Sequence, residues 1–123
     1  MKTLLITRSG ILAVVAMLLV GLLSACNTSN KNELPYADSF LVDVRTPQEF
    51  NEGSVKGAVN IPLSEIESRI DEFKGKKQIV VFCRSGSRST EAKRILEANG
   101  VTGVVNGGPW QNVAAELEKQ AKK

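Results

Sequence analysis

One short segment, residues 82–90, holds the residue types that could do chemistry. Cys83 follows an apolar run, Arg84 comes next, and Arg88 follows three small residues at 85–87. Small side chains let backbone N–H groups turn inward around a bound anion, and a helix predicted to begin at Arg88 adds its amino terminus. These groups and the arginines favour a thiolate, so we expect the pKa of Cys83 to lie below the free-thiol value of about 8.5. The segment predicts a reactive cysteine in an anion-binding loop.

The activating groups in this loop cannot include an imidazole. The chain has no histidine, so a Cys–His pair is excluded, and backbone amides and arginines are left to activate the thiol. Taken singly, Cys83 could be an inert core residue, and Arg84 and Arg88 could be solvated surface charges. Ser85, Gly86 and Ser87 could likewise form an ordinary turn. The joint arrangement favours the reactive site over these alternatives.

The elements that must position the loop alternate between strands and helices. Four apolar runs are predicted as strands: residues 39–44, 58–61, 78–82 and 101–105. The run at 78–82 is the strongest, and Cys83 lies one residue past it. Ligands of parallel α/β sheets bind at the carboxyl ends of the strands, so this is the expected place for a site. The alternation predicts an α/β fold with a mainly parallel central sheet and helices on both faces.

The helices have local start and stop signals. Thr46, Pro47 and Glu49 form a capping box for a short helix that ends before Gly53. Ser64 and Glu67 repeat that signature. Four helices are predicted: residues 46–51; the segment with Ile66, Ile70 and Phe73 before Gly75; residues 88–99; and a last one with Trp110, Val113, Ala114 and Leu117. Residues 107–109 are predicted to form the turn before the last helix.

The first 25 residues form a separate block. Lys2 and Arg8 precede an uncharged apolar run at 11–23, which is shorter than the roughly 20 residues that span a bilayer, so an export signal is favoured over an uncleaved anchor. The tetrapeptide at 23–26 resembles the lipobox of bacterial lipoproteins, which implies that Cys26 is lipidated and becomes the new amino terminus. Residues 26–36 are then a polar tether and residues 37–123 the folded domain, and Cys83 is the one free thiol of the mature chain. The expected location is a membrane-anchored lipoprotein that faces the periplasm or the cell exterior.

The charge balance gives no reason to expect a nucleic-acid partner. The chain has 16 basic and 13 acidic residues, and Lys2 and Arg8 of the export signal contribute to the excess. Aromatic residues make up 5% of the chain, and no basic stripe interleaves with them. We expect neither nucleic acid nor a metal or cofactor, and we expect a monomer.

Four segments, in family order and at family spacing, resemble the rhodanese-like domains. They are DVRTPQEF at 43–50, GAVNIPL at 57–63, VFCRSGSRS at 81–89 and the glycine pair at 107–108. The small size and export signal look most like the exported single-domain thiosulfate sulfurtransferases of the phage-shock-protein-E type. The resemblance implies a three-layer α/β sandwich over residues 37–123.

The same resemblance implies roles for the site residues. Cys83 matches the nucleophile that takes a sulfane sulfur from thiosulfate or a similar small anionic donor and passes it, as a persulfide, to a thiophilic acceptor such as cyanide. The loop residues that bind substrate are Arg84, Ser85, Gly86, Ser87 and Arg88. Asp43 and Arg45 brace the loop and its helix. Ser54 replaces a histidine common in the family, and Pro109 interrupts the usual run after the glycine pair.

Two other functions are weighed against this one. Cysteine-dependent phosphatases and arsenate reductases of the same fold also hold an oxyanion in a cysteine loop that ends in arginine, but five residues separate their cysteine and arginine. Four residues separate Cys83 and Arg88, and the shorter loop favours sulfur over phosphate. The second alternative is a persulfide carrier or sulfide-binding module that serves a protein partner without efficient turnover.

Overall fold

The computed structural model describes residues 34–123. Residues 1–25, Cys26 and most of the predicted tether lie outside the described residues. Within them, a 3-10 turn at Tyr36–Asp38 precedes four strands: β1 (Phe40–Asp43), β2 (Val59–Asn60), β3 (Ile79–Cys83) and β4 (Val104–Pro109). The α-helices are α1 (Pro47–Glu52), α2 (Ser87–Ala98) and α3 (Trp110–Ala121), and 3-10 turns span Leu63–Glu65 and Glu67–Glu72.

The four strands form one parallel sheet in the order β2-β1-β3-β4. All five residues of β3 are buried, as expected for a central strand covered on both faces. Alternate residues of β3 enter two separate apolar clusters: Ile79, Val81 and Cys83 face one, and Val80 and Phe82 face the other. The predicted α/β architecture with both sheet faces covered is therefore confirmed.

Cys83 faces the cluster that contains Ala92 and Leu96 of α2. The opposite cluster contains Val113 of α3, with Trp110 and Leu117 packed against it. Because side chains alternate along a strand, the position of Cys83 within β3 places its sulfur on the face of the sheet that α2 covers.

Three sequence predictions need correction. Cys83 is the last residue of β3, not one residue beyond the strand. The predicted strand at 101–105 begins only at Val104 and continues through the glycine pair, which the sequence assigned to a turn. Gly103 explains the late start, since it has φ +72° and a Cβ there would lie 2.6 Å from the Lys77 carbonyl oxygen. Its left-handed backbone turns the chain before the strand can pair.

The second capping box is also wrong. Pro62, not Ser64, precedes the first turn there, and no side chain caps it. The segment forms two 3-10 turns rather than an α-helix, and Arg69 has non-helical angles of φ −120° and ψ 23°. Ile66 and Phe73 are buried as the stripe predicted, so the apolar spacing located the core contacts but not the type of helix.

The amino-terminal residues of the described chain contact the domain. The Leu34 N–H donates to the Gln78 side-chain oxygen at 2.9 Å, and the Gln78 side-chain nitrogen donates to the Leu34 carbonyl at 2.7 Å. Tyr36 packs against the α3-side cluster. Residues 34–36, which the sequence assigned to the tether, therefore lie on the domain. None of the helices within residues 34–123 is long and apolar enough to cross a membrane.

Candidate active site

Cys83 ends the central strand, and the loop that follows folds back over its sulfur. The residue has no exposed surface, and the Gly86 N–H donates to Cys83 Sγ at 3.0 Å. The return depends on Gly86, which has φ +98° and ψ −12° and caps the amino terminus of α2. This left-handed conformation is one that L side chains rarely adopt. The predicted glycine loop is thus the element that brings a backbone amide to the thiol.

Ser89, in the first turn of α2, also contacts the sulfur. Cys83 Sγ lies 3.6 Å from Ser89 Oγ, and Ser89 Oγ lies 3.0 Å from the Gly86 carbonyl oxygen. The Ser89 hydroxyl donates to that carbonyl when Cys83 is a protonated thiol, and it is placed to donate to the sulfur when Cys83 is a thiolate. Ser89 is buried. Sequence reasoning quoted Ser89 only as part of the motif and assigned it no role. Its place one residue after Arg88, on the buried side of the predicted helix, was the available signal.

The pKa of Cys83 is lowered overall by its surroundings. Burial raises it, but hydrogen bonding by the Ser89 side chain and the backbone N–H groups of Ser89, Gly86 and Ser85 outweighs that effect. The predicted direction of the pKa shift is therefore supported. The groups that lower the pKa are the backbone amides and Ser89. The sequence analysis attributes the lowering to amides and arginines.

The two arginines of the loop have different environments. Arg84 is exposed, and among residues 34–123 it has no hydrogen bond or ion pair. Arg88 is half-buried and binds Glu49 of α1 through both terminal nitrogens, with Nη1 to Oε2 at 2.7 Å and Nη2 to Oε1 at 2.9 Å. Ser85 and Ser87 are exposed beside them. The role of the loop in binding substrate remains a prediction.

Glu49 was predicted only as a helix cap, and it does act as one. Its carboxylate accepts from the Thr46 N–H at 3.0 Å, and Thr46 Oγ1 accepts from the Glu49 N–H at 3.3 Å, which confirms the capping box. Arg88 first, and Thr46 next, hold the pKa of Glu49 far below its usual range. The contact between Glu49 and Arg88 joins residues 39 positions apart, so no local pattern could have revealed it.

Asp43 and Arg45 form a buried ion pair at the end of β1. Arg45 Nη2 donates to Asp43 Oδ2 at 2.7 Å and to the Gly53 carbonyl at 2.6 Å. Ser54 Oγ donates to Asp43 Oδ2 at 2.6 Å, so the serine that replaces the histidine common in the family contacts the ion pair directly. The guanidinium carbon of Arg45 lies 5.3 Å from the Trp110 ring centroid. The pair thus fixes the segment around α1. That it braces the cysteine loop stays a prediction, and Glu49 of α1 is the contact through which it would act.

Residues at the end of β4 pack against the cysteine loop. A Cβ at Gly86 would lie 3.6 Å from Gly108 Cα and 4.0 Å from Pro109 Cδ, so Gly108 and Pro109 pack directly against the turn over the sulfur. Asn106 supports this contact: its Nδ2 donates to Thr90 Oγ1 at 2.8 Å, and its Oδ1 accepts from the Gly108 N–H at 3.0 Å. This side of the loop, where Pro109 interrupts the usual family run, is therefore formed by backbone and proline.

Similarity to known proteins agrees with this geometry. The model of the rhodanese-like domain family matches residues 27–112. Thiosulfate sulfurtransferase PspE of Escherichia coli (strain K12) is 37% identical over 81 residues, which cover 64% of this chain and 78% of that protein. Protein YqhL of Bacillus subtilis (strain 168) is 39% identical over 71 residues, which cover 58% of this chain and 56% of that protein. The chain thus spans little more than half the length of YqhL.

Among solved structures, a rhodanese with anions from E. coli has the same fold. It aligns with a TM-score of 0.56 at 38% identity, over 61% of this chain and 91% of that chain.

Proposed function

Because the chain belongs to the rhodanese-like domain family, we propose that it is a sulfurtransferase that carries a sulfane sulfur on Cys83. The donor is thiosulfate or a similar small anion, and the acceptor is a thiophile such as cyanide. One observation carries the proposal: the sulfur of Cys83 lies at the amino terminus of α2, 3.0 Å from the Gly86 N–H, with its pKa lowered by amides and Ser89 although burial raises it. A thiolate is the form of cysteine that attacks sulfur.

The first half-reaction loads the sulfur. The Cys83 thiolate attacks the outer sulfur of thiosulfate, a new S–S bond forms, and the bond between the sulfane sulfur and the sulfonate sulfur breaks. The electron pair of that bond leaves with sulfite, and Cys83 holds a persulfide anion. The inward N–H groups of Ser85 and Gly86, which favour the thiolate, favour the persulfide anion for the same electrostatic reason.

The second half-reaction unloads it. The carbon of cyanide attacks the terminal sulfur of the persulfide, the S–S bond breaks, and its electron pair returns to Cys83 as a thiolate while thiocyanate leaves. No proton, metal or redox partner is needed for either step. The exposed guanidinium of Arg84 is suited to attract the anionic donor to the mouth of the loop. The relative PspE is named a thiosulfate sulfurtransferase, which supports this choice of donor.

Thiocyanate formation tests the proposal. The purified chain is incubated with thiosulfate and cyanide beside Cys83→Ala and Cys83→Ser, and only the wild type is expected to form thiocyanate above the uncatalysed rate. Equal rates in all three proteins would refute the proposal. If the wild type forms no thiocyanate but gains about 32 mass units at Cys83 from a polysulfide, the persulfide-carrier alternative replaces it.

We also propose that the chain is exported and anchored through a lipid on Cys26. Support comes from the sequence of residues 1–26 alone, because these residues lie outside the described part of the chain. Full-length protein is expected in the membrane fraction of an expressing bacterium, and Cys26→Ser is expected to move it to the soluble fraction. Unchanged fractionation of Cys26→Ser would contradict the anchor and leave the sulfur-transfer proposal untouched.

A further inference from the structure

Glu49 connects the first helix of the domain to the helix that carries the cysteine loop. Its carboxylate accepts four hydrogen bonds, from the N–H and Oγ1 of Thr46 and from both terminal nitrogens of Arg88. The side chains of Arg88 and Glu49 are 33% and 22% exposed, so the pair lies at the border between the loop and solvent. A bidentate guanidinium–carboxylate contact fixes both the position and the orientation of Arg88.

The charges around Cys83 are largely cancelled in pairs. Arg45 is paired with Asp43, and Arg88 is paired with Glu49. Arg84 is the one arginine of this group without a carboxylate partner among residues 34–123. An incoming anion therefore meets one guanidinium, that of Arg84, whose charge is offset by no carboxylate among residues 34–123.

We propose that Glu49 is a positioning residue that sets the anion affinity of the cysteine loop, because it holds Arg88 against α1 and cancels its charge. This inference rests on the proposed function, in which both the donor thiosulfate and the released sulfite are dianions. A loop with Arg88 unpaired would hold both more tightly and would release sulfite more slowly. Glu49 thus weakens the binding of both anions and speeds the release of sulfite. Arg84 remains the cation available to the donor.

The surroundings of the pair support this role. The pKa of Glu49 is held far below its usual range, chiefly by Arg88, so the carboxylate stays charged wherever the thiolate exists. The pKa of Arg88 is raised chiefly by Glu49, and the charges of Cys83 and Asp43 raise it further. Arg88 is thus within electrostatic reach of the sulfur, and a change in its net charge reaches the reacting atom.

The test uses charge changes that keep the shape of the site. Glu49→Gln retains a residue that completes a capping box but removes the charge, and Glu52→Gln, an exposed position of the same helix, is the matched control. Cys83 is alkylated with iodoacetamide across pH, and then at fixed pH and ionic strength in the presence of sulfate, an unreactive dianion. Both measurements work on a protein that shows no turnover, so failure of the proposed function would not obscure the result.

Opposite shifts are expected for the two partners. Glu49→Gln should lower the midpoint pH of alkylation and should need about threefold less sulfate for half-protection. Arg88→Gln should raise both values, and the double variant should return close to the wild type. Glu52→Gln should match the wild type.

Two results would overturn the inference. If both single variants raise the midpoint pH, Glu49 is only a structural clamp for the loop. If Glu49→Gln leaves the midpoint and the sulfate protection unchanged, Arg88 does not act on the anion site. Should Glu49→Gln fail to fold, Arg88→Gln gives an independent reading, because an unchanged midpoint there also contradicts the inference.

Discussion

Replacement of Asp43 by asparagine removes the negative charge at the centre of a buried network. In the folded chain the two carboxylate oxygens accept from the backbone N–H, Nε and Nη2 of Arg45 and from Ser54 Oγ. Asparagine has nearly the same shape but one acceptor oxygen, and its amide N–H groups would face the donors of Arg45 or Ser54. The guanidinium, 6% exposed at its side chain, would keep the Gly53 carbonyl and lose its counter-charge.

The expected loss of stability follows from that burial. Removal of one partner from a buried ion pair lowers the free energy of unfolding by about 3–5 kcal/mol. For a domain of 60–100 residues, each kcal/mol shifts the melting temperature by about 4–8 °C. Asp43→Asn should therefore lower Tm by at least about 12 °C. Asp71→Asn, which breaks an exposed ion pair with Lys74, should leave Tm unchanged.

The assay is urea and thermal unfolding followed by circular dichroism, with the double variant Asp43→Asn/Arg45→Met beside the single one. Since the double variant has no uncompensated charge, it should regain about 1–3 kcal/mol over Asp43→Asn. A loss below about 1 kcal/mol for Asp43→Asn would refute the reasoning. So would a double variant no more stable than the single one, because the penalty would then not come from the stranded guanidinium.

Three further predictions concern the loop itself. Gly86→Ala should lower the free energy of unfolding by about 1–2 kcal/mol, because its φ of +98° strains any L side chain, and it should also slow alkylation of Cys83 as the amide moves off the sulfur. Ser89→Ala should raise the pKa of Cys83, seen as an upward shift of the alkylation midpoint, because one of the interactions that lower it is lost. Since that pKa is lower in the folded than in the unfolded chain, the unfolded chain binds more protons between the two values. The free energy of unfolding of the wild type, relative to that of Cys83→Ala, should therefore rise with pH between the folded pKa and the ordinary thiol value of about 8.5. This gain is lost as the pH falls through the folded pKa. Urea titrations at several pH values measure the difference.

Each of these predictions has its own control. Gly57→Ala changes another left-handed glycine, at φ +82° with no atom near its Cβ position, and should lower stability without slowing alkylation. An equal effect of both glycine variants on alkylation would show that the Gly86 amide is not special. An unshifted midpoint in Ser89→Ala, or a pH-independent stability difference between wild type and Cys83→Ala, would mean that the folded chain does not favour the thiolate.

The parts of the fold that local sequence determines were predicted well. The capping box of α1 needs only Thr46, Pro47 and Glu49, all within one turn, and it forms as expected. The start of β4 and the 3-10 turns before β3 depend on tertiary contacts instead. Gly103 closes against Lys77 from another part of the chain, and no pattern within residues 101–105 contains that contact. Ile66 and Phe73 reach the core by tertiary packing that tolerates a helix broken at Arg69.

The same division holds in the candidate site. The strand, the cysteine and the glycine turn are neighbours in sequence, so the contact of a loop amide with the Cys83 sulfur could be predicted from their spacing. Arg88 was predicted to bind the donor, which stays a prediction, and the structure shows in addition a carboxylate partner from α1. The sequence pattern around Glu49 is fully explained by its role as a helix cap. Its second role, as the partner of Arg88, leaves no mark in the local sequence.

The hydrogen bonds between Leu34 and Gln78 lie at one end of the central strand. Gln78 precedes the first residue of β3 and Cys83 is its last, so the clamp on Leu34 and the reactive sulfur lie at opposite ends of the central strand, about 16 Å apart. The contacts that hold Leu34 to the domain are therefore remote from those that surround the reactive sulfur, so the first residues of the described chain and the cysteine loop lie at opposite ends of the sheet.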